Sequence, residues 1–477
     1  MKNSLGIFEI NSKTQERVIM KKKLFTNEII YHIYPYGMCN CLRYNDFDSE
    51  VSNNLEILKN ELPNIKKKGF TAILIGPICE SVFHGYDTVD YFSVDRRLGD
   101  EKMLKSFCNK AHDLGLKVIF DTVFNHSGRL FFAFLDIRIH KEKSKYQNWY
   151  NIDFSKKSEF NDDFDYEGWQ GSKDLVKYNL ENNEVRKYLL GVLKYWIETF
   201  NIDGVRLDAA HLMSTSFLQE ISSFTKAINP DFWLLGEVIH GNYNTFLEST
   251  SLDSCTDYQI YEEFYKAFNE KDFFILTDEL ERQFGSNGIY KNTPLYIFLD
   301  NQDVNRIASN LNDFQYLVPL YIILFSLPGI PSIYYGSEYG IKGKRTPYND
   351  CDIRIPMPPF TTSIPDWAYP NINPHMLEKT IEILCDVRKS SKALINNNFK
   401  IEKVTKTFIC FRRWDEDETV ILGINIGSEV EYMDLYQSEM IDLFTGEIYT
   451  KNNNNFPFQP NEIYLMSNKN IREKTKN

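Results

Sequence analysis

Three things are scarce in this sequence, and each scarcity excludes something. Cysteine is the first: eight in 477 residues, with one C-x-C (Cys39, Cys41) and no C-x-x-C pair. That spacing favours neither a disulfide framework nor a zinc site, so a reduced, cytoplasmic protein is expected. Long apolar runs are the second. The first 25 residues hold no stretch fit for a signal peptide, and the longest apolar run, Tyr316–Leu327, contains Pro319 and stops at Pro328. A membrane-spanning helix needs about 20 apolar residues, so this run reads as a buried helix and no membrane partner is expected. Positive charge is the third: 54 Lys and Arg stand against 66 Asp and Glu, a formal charge of −12. A nucleic-acid surface needs clustered Lys and Arg, which this balance opposes.

What is plentiful is aromatic, 15 % of the chain, within 43 % hydrophobic and 25 % charged residues. Such a mixture is too apolar for disorder and too charged for a membrane bundle. From about Asn27 to Leu394, short apolar runs alternate with amphipathic segments. Thr71–Ile75, Lys117–Val123, Gly204–Asp208 and Trp233–Glu237 read as strands buried on both faces. Leu55–Lys67, Glu101–Leu114, Asn183–Phe200 and Phe217–Ile228 carry helical stripes between them. Such alternation predicts a parallel sheet with covered faces. Ser127–Leu180 breaks the rhythm and reads as an excursion between two repeats. Beyond Leu394 the helical signals stop, and Thr407–Trp414, Thr419–Ile426 and Glu431–Leu435 predict a separate all-β domain. The Asn452–Asn455 run reads as a loop, and the polar tail Asn468–Asn477 as a fraying end.

Each strand ends in a polar cluster: Asp121-Thr-Val-Phe-Asn125-His126, Arg206-Leu-Asp208, Gly236-Glu237 and Asn301-Gln302-Asp303. In a β/α barrel the carboxyl ends of the strands share one rim, so these clusters would build a carboxylate-rich pocket. Taken singly, each is equally a helix cap, a solvated loop residue or a local ion pair. Two carboxyl groups, one ionised and one protonated, are what glycosidic cleavage requires, and a neighbouring Arg holds the nucleophile ionised. Pattern alone leaves a common site and a set of separate structural roles both open.

Taken together, the motifs resemble the α-amylase family, glycoside hydrolase family 13. DTVFNH (Asp121–His126), GVRLDAAH (Gly204–His211), GEV (Gly236–Val238) and NQD (Asn301–Asp303) look like its four signatures, in the family's order. HGYDTVDY (His84–Tyr91), GIPSIYYGSEYG (Gly329–Gly340) and CDIRIPM (Cys351–Met357) also look like family segments. The resemblance implies a (β/α)8 TIM barrel with a small inserted domain after strand 3 and a C-terminal all-β sandwich. It divides the chain into barrel (1–126 and 181–394), insert (127–180) and sandwich (395–477). It further implies Asp208 as nucleophile, Glu237 as general acid/base and Asp303 as the third carboxylate, with Arg206 orienting the nucleophile. Tyr86 matches the aromatic platform under the sugar, His126 a histidine that bonds it, and Asp121 a structural aspartate. His84 and Asp87 flank the platform. DLVKYNL (Asp174–Leu180) resembles the MPKLN signature of the neopullulanase, cyclomaltodextrinase and maltogenic amylase group, placing Lys177 on that motif's Lys.

The sequence departs from the family at three points. Gln302 replaces a histidine that bonds the sugar; an amide can donate a hydrogen bond but cannot carry charge toward an oxocarbenium-like transition state. His211 and Leu212 stand where relatives carry Lys-His or Asn-Glu on the acceptor side. Only about 27 residues precede the first strand, which argues for a monomer, with a dimer left open. The expected activity is retaining cleavage of α-1,4 linkages in maltodextrins, with cyclodextrins or pullulan as further substrates. A transglycosylating or exo-acting α-glucosidase, or a non-catalytic glucan-binding homologue, is the alternative. No cofactor is required. Asn125 and the acidic insert (Asp153, Asp162, Asp163, Asp165) leave calcium open.

Overall fold

The computed structural model describes residues 26–346, 349–368, 373–451 and 456–471. The first 25 residues, the Asn452–Asn455 run and most of the Asn468–Asn477 tail lie outside the described residues.

Eight parallel strands close into a barrel: β1 (Ile30–Ile33), β2 (Ala72–Ile75), β3 (Lys117–Thr122), β4 (Gly204–Leu207), β5 (Trp233–Gly236), β6 (Ser254–Thr256), β7 (Leu295–Phe298) and β8 (Ile330–Tyr334). Closure is made by β1, which pairs with both β2 and β8. The strands are apolar without alternation because both faces are covered. One face fills the barrel with Ile30, Leu74, Ile119, Trp233, Leu235 and Phe298. The other packs on the helices through residues such as Ile73, Val118, Val205 and Leu234. Helix Glu101–Asp113 opens on Asp100, whose side chain accepts the Met103 N–H, and buries Leu104, Phe107 and Ala111. Helix Asn183–Phe200 opens on Asn182 in the same way and stops at Asn201 in the left-handed conformation. The apolar run past Tyr316 forms the helix Leu317–Ser326, nearly all of it buried inside the protein. Among the described residues no helix is long and apolar enough to cross a membrane.

After β3 the chain leaves the barrel. His126–Gly128 pairs antiparallel with Ser172–Lys177, which pairs in turn with Gly168–Trp169. Past the barrel, a six-stranded antiparallel sheet from Phe399 to Ser467 faces a two-stranded one, Glu431–Met433 with Phe456–Phe458. Phe408, Cys410, Ile421, Met440 and Phe458 form the core between them. Two fully buried arginines meet at this junction, Arg388 from the barrel's helix Pro374–Ser390 and Arg413 from the β unit. Arg388 donates to the Phe325 and Leu327 carbonyls at 2.6 and 3.0 Å, and Arg413 to the Ser326 carbonyl at 2.6 Å. The last carbonyls of helix Leu317–Ser326, which water cannot reach, are thus satisfied by guanidinium. All eight cysteines are free thiols.

Candidate active site

The site is built where strands end. Asp121 lies in β3, Arg206 in β4, Asp208 just past β4, Glu237 just past β5, and Asp303 in the loop after β7. Four chain segments far apart in sequence therefore converge on one rim, at the centre of which sits the Arg206 guanidinium, its side chain 3 % exposed. One arm, Nη1, lies 2.6 Å from Asp121 Oδ1 and 3.3 Å from Asp208 Oδ1. The other, Nη2, lies 2.6 Å from Glu237 Oε1 and 3.9 Å from Asp303 Oδ2.

Local backbone geometry aims further donors at Glu237. Ala209 follows Asp208 in the left-handed region, at φ 48°. That conformation is unfavourable for alanine and is retained where the surroundings fix it. It turns the Ala209 N–H onto Glu237 Oε2 at 2.8 Å. The Tyr258 hydroxyl donates to Glu237 Oε1 at 3.2 Å and accepts from the Asn301 amide at 2.9 Å. Asn301 also accepts the Asp303 N–H at 2.8 Å, which fixes the turn that presents that carboxylate. Arg354 closes the far side, with Nη2 3.2 Å from Asp303 Oδ1.

Four carboxylates around one guanidinium cannot all ionise freely in a buried site. Burial and the nearby Glu237 push Asp208 well above the usual carboxylate range. Burial, opposed only in part by Arg206, raises Asp121 as well. Asp303 is pushed up to about 6 by burial and by Glu237, against Arg354 and Arg206. Glu237 goes the other way: burial would raise it, but Arg206 and the Ala209 N–H outweigh burial and hold it below its ordinary value. Of the buried carboxyls, Glu237 is the one whose ionised form its surroundings favour.

A cavity of about 600 Å³ opens over these groups. Tyr86, His84, His126, Asp208, His211, Glu237, Asp303 and Arg354 all line it. Tyr86 is fixed by its hydroxyl, which donates to Asp121 Oδ2 at 3.0 Å. Gly85 before it, at φ +88°, leaves no room for a Cβ, which would stand 2.6 Å from the Tyr36 ring. His126 is driven down to about 3 by burial and is neutral; its Nε2 is buried without a partner. His84 is also driven to about 3 by burial. His211 packs against the Glu237 carbonyl at 3.2 Å.

Four of the expected residues do not line this cavity: Arg206 lies beneath it among the carboxylates, and three others face elsewhere. Asp87 is buried behind the platform and accepts the His84 N–H at 3.1 Å. Lys177 is paired with Glu167 at 2.5 Å on the insert. Gln302 is 1 % exposed and directs its amide nitrogen at Asp303 Oδ2, 2.5 Å away. Conversely, Tyr258 and Arg354 are central to the geometry and were not singled out from the sequence; Arg354 lay inside the recognised CDIRIPM segment, whereas nothing in the sequence marks Tyr258. Of the aromatics near the motifs, Trp169 lines the cavity, while Phe124 stacks on Trp196 in the core.

A second cavity of about 470 Å³ adjoins the first, sharing His84, Arg345, Asp350 and Arg354 as walls. Phe83 is on its wall, stacked at 5.0 Å on Tyr44, which is 62 % exposed. A further cavity of about 560 Å³ on the barrel flank lies over Lys68, already paired with Glu338 and Glu378 at 3.1 Å each.

The four aspartates of the insert each face a cation, while the Asn125 Oδ1 is buried without a hydrogen-bond partner. Asp162 is held by Arg129 and Arg138, Asp163 by Lys141 and Lys157, Asp165 by Lys173 and Asp153 by Lys156. Calcium needs six to eight oxygens gathered on one point. Here each carboxylate is spent on a cation instead, and among the described residues no three His, Cys, Asp or Glu side chains come together to hold a metal.

The chain is similar to known proteins over most of its length. The α-amylase catalytic-domain profile matches residues 41–357. A cyclomaltodextrinase of Thermoanaerobacter pseudethanolicus is 28 % identical over 97 % of this chain and 81 % of its own. The intracellular maltogenic amylase of Bacillus subtilis (strain 168) is 26 % identical over 97 % of this chain and 82 % of its own. Among solved structures, a cyclomaltodextrinase superposes with a TM-score of 0.81 at 25 % identity, covering 93 % of this chain and 78 % of that one.

Proposed function

The chain belongs to the α-amylase family of glycoside hydrolases, and from that membership we propose a retaining hydrolase of α-1,4 linkages in maltodextrins, of the cyclomaltodextrinase and maltogenic amylase type. The observation that carries this reading is the gathering of Asp208, Glu237 and Asp303 about Arg206 at the floor of an open trough.

Glu237 protonates the glycosidic oxygen while Asp208 attacks the anomeric carbon, giving a glycosyl-enzyme; Glu237 then takes a proton from water, which displaces the sugar from Asp208. Asp303 accepts hydrogen bonds from ring hydroxyls. Tyr86 offers the sugar an apolar face. The unpartnered His126 Nε2 is a ready contact for a hydroxyl. Catalysis requires the proton on Glu237 and the charge on Asp208, opposite to the directions in which burial and Arg206 shift the two groups. A small swing of the guanidinium from Glu237 toward Asp208 and Asp303, now 3.3 and 3.9 Å away, raises the one and lowers the other together.

A chain substrate is favoured over a lone glucose because the second cavity adjoins the first at His84 and extends to Phe83, on which Tyr44 stacks. A monomer as working unit and a reaction that requires no cofactor belong to the same proposal. The named relative from Bacillus subtilis is an intracellular enzyme, and a cytoplasmic location follows that likeness. The test is incubation with maltoheptaose, β-cyclodextrin, pullulan and starch, following products by chromatography. Short maltodextrins are expected. Glucose alone would replace this reading with an exo-glucosidase, and no product from any substrate would remove it.

A further inference from the structure

Gln302, at the position where the family motif has histidine, is turned away from the trough. The residue is 1 % exposed and its amide nitrogen stands 2.5 Å from Asp303 Oδ2. Its Oε1 is buried without a partner. The opposite amide orientation would set that oxygen against a carboxylate, so the donor must face Asp303. The Gln302 carbonyl accepts from Arg354 Nε at 2.9 Å, and the same guanidinium meets Asp303 Oδ1 at 3.2 Å. The carboxylate is thereby gripped on both oxygens by two residues that are themselves tied together. Asp303 and Arg354 line the cavity; Gln302 does not.

We propose that Gln302 is a positioning residue: it fixes the Asp303 carboxylate toward the sugar and makes no contact with the sugar itself. This rests on the hydrolase reading above. The groups facing Asp303 are Glu237, Asp121 and Asp208, which oppose its charge, and Arg206 and Arg354, which favour it. Burial already carries Asp303 up to about 6. A donor on Oδ2 favours the ionised form, so losing that donor moves the titration of Asp303 further up. An amide supplies the donor at every working pH, where a histidine would gain and lose a proton.

The test is steady-state kinetics of wild type, Gln302→Ala, Gln302→Glu and Gln302→His on one maltodextrin across pH, with thermal melts to check folding. Gln302→Ala is expected to lower kcat on the order of 10- to 100-fold with KM changed less than about threefold. The acid limb of kcat/KM should move to higher pH. Gln302→Glu, which keeps the shape but loses the donor, should move it further, and Gln302→His should restore part of kcat. Should Gln302→Ala not fold, Gln302→Asn, one methylene too short to reach Oδ2, carries the same expectation. A raised KM with unchanged kcat and an unmoved acid limb would mean direct sugar contact and overturn the proposal, as would unchanged kinetics. A wild type inactive on every α-glucan would instead overturn the hydrolase reading on which the proposal rests.

Discussion

Arg206 meets Glu237 at 2.6 Å, closer than the 3.3 Å that separates it from Asp208. The one buried cation of the cluster thus rests on the group proposed as acid, with its other arm anchored 2.6 Å from Asp121. A planar fork presents two separate arms to Asp121 and Glu237 in fixed geometry, which the single nitrogen of an ammonium does not reproduce. Arg206→Lys is expected to lower kcat/KM on the order of 10³-fold, in the range of a lost preorganised charge contact. Arg206→Leu leaves the buried carboxylates unpaired and should destabilise the fold by about 3–5 kcal/mol. Steady-state kinetics and chemical denaturation check both. Near-wild-type activity in Arg206→Lys would remove the guanidinium from its central place.

Tyr86 has two separable parts, a ring that lines the cavity and a hydroxyl on Asp121. Tyr86→Phe keeps the ring and loses one hydrogen bond to a charged group, a loss of about 10-fold in kcat/KM. Tyr86→Ala removes the sugar's apolar support too, and a fall of roughly 100-fold or more is expected. Equal losses in the two variants would show that stacking contributes nothing.

Asp257, just past β6, is fully buried, and burial pushes its carboxyl up to about 7. Its unfolded value is about 3.9, so the folded protein binds this proton more tightly than the unfolded chain does. The stability it contributes is complete below about pH 4 and is lost as the pH rises through about 7. Asp257→Asn should therefore flatten the dependence of Tm on pH in the range about 5 to 8 and melt no lower than wild type at about pH 8. Thermal melts across that range decide it; an unchanged slope contradicts the assignment.

The insert's aspartates are neutralised by lysine and arginine rather than gathered about a point. Activity and Tm are accordingly expected to survive EDTA dialysis, with kcat within about twofold of the untreated enzyme. A loss restored by added calcium would show that ligands other than these carboxylates hold an ion.

Much of this was legible in the sequence, for identifiable reasons. Parallel strands buried on both faces leave continuous apolar runs, and their carboxyl ends follow directly, so Asp121, Arg206, Asp208, Glu237 and Asp303 could be read off as neighbours of strands. β6 carried no mark because Ser254–Thr256 is only three residues long, and β7 (Leu295–Phe298) was marked only by the Asn301-Gln302-Asp303 cluster after it. Tyr258 was missed because one tyrosine among 29 carries no local signal; only folding brings it beside Glu237. The outward turn of Lys177 and the inward turn of Gln302 depend on which partner each side chain finds, Glu167 and Asp303, and spacing does not encode that choice.

The central claim is double displacement with Asp208 as nucleophile and Glu237 as acid and base. Its most direct test is the anomeric configuration of the first product, followed by proton NMR from the first seconds of maltoheptaose hydrolysis, in wild type and in Asp208→Asn. The account predicts an α-anomer from wild type, decaying slowly to the equilibrium mixture, and no product from Asp208→Asn. A β-anomer at the earliest times, or turnover by Asp208→Asn at the wild-type rate, would contradict it.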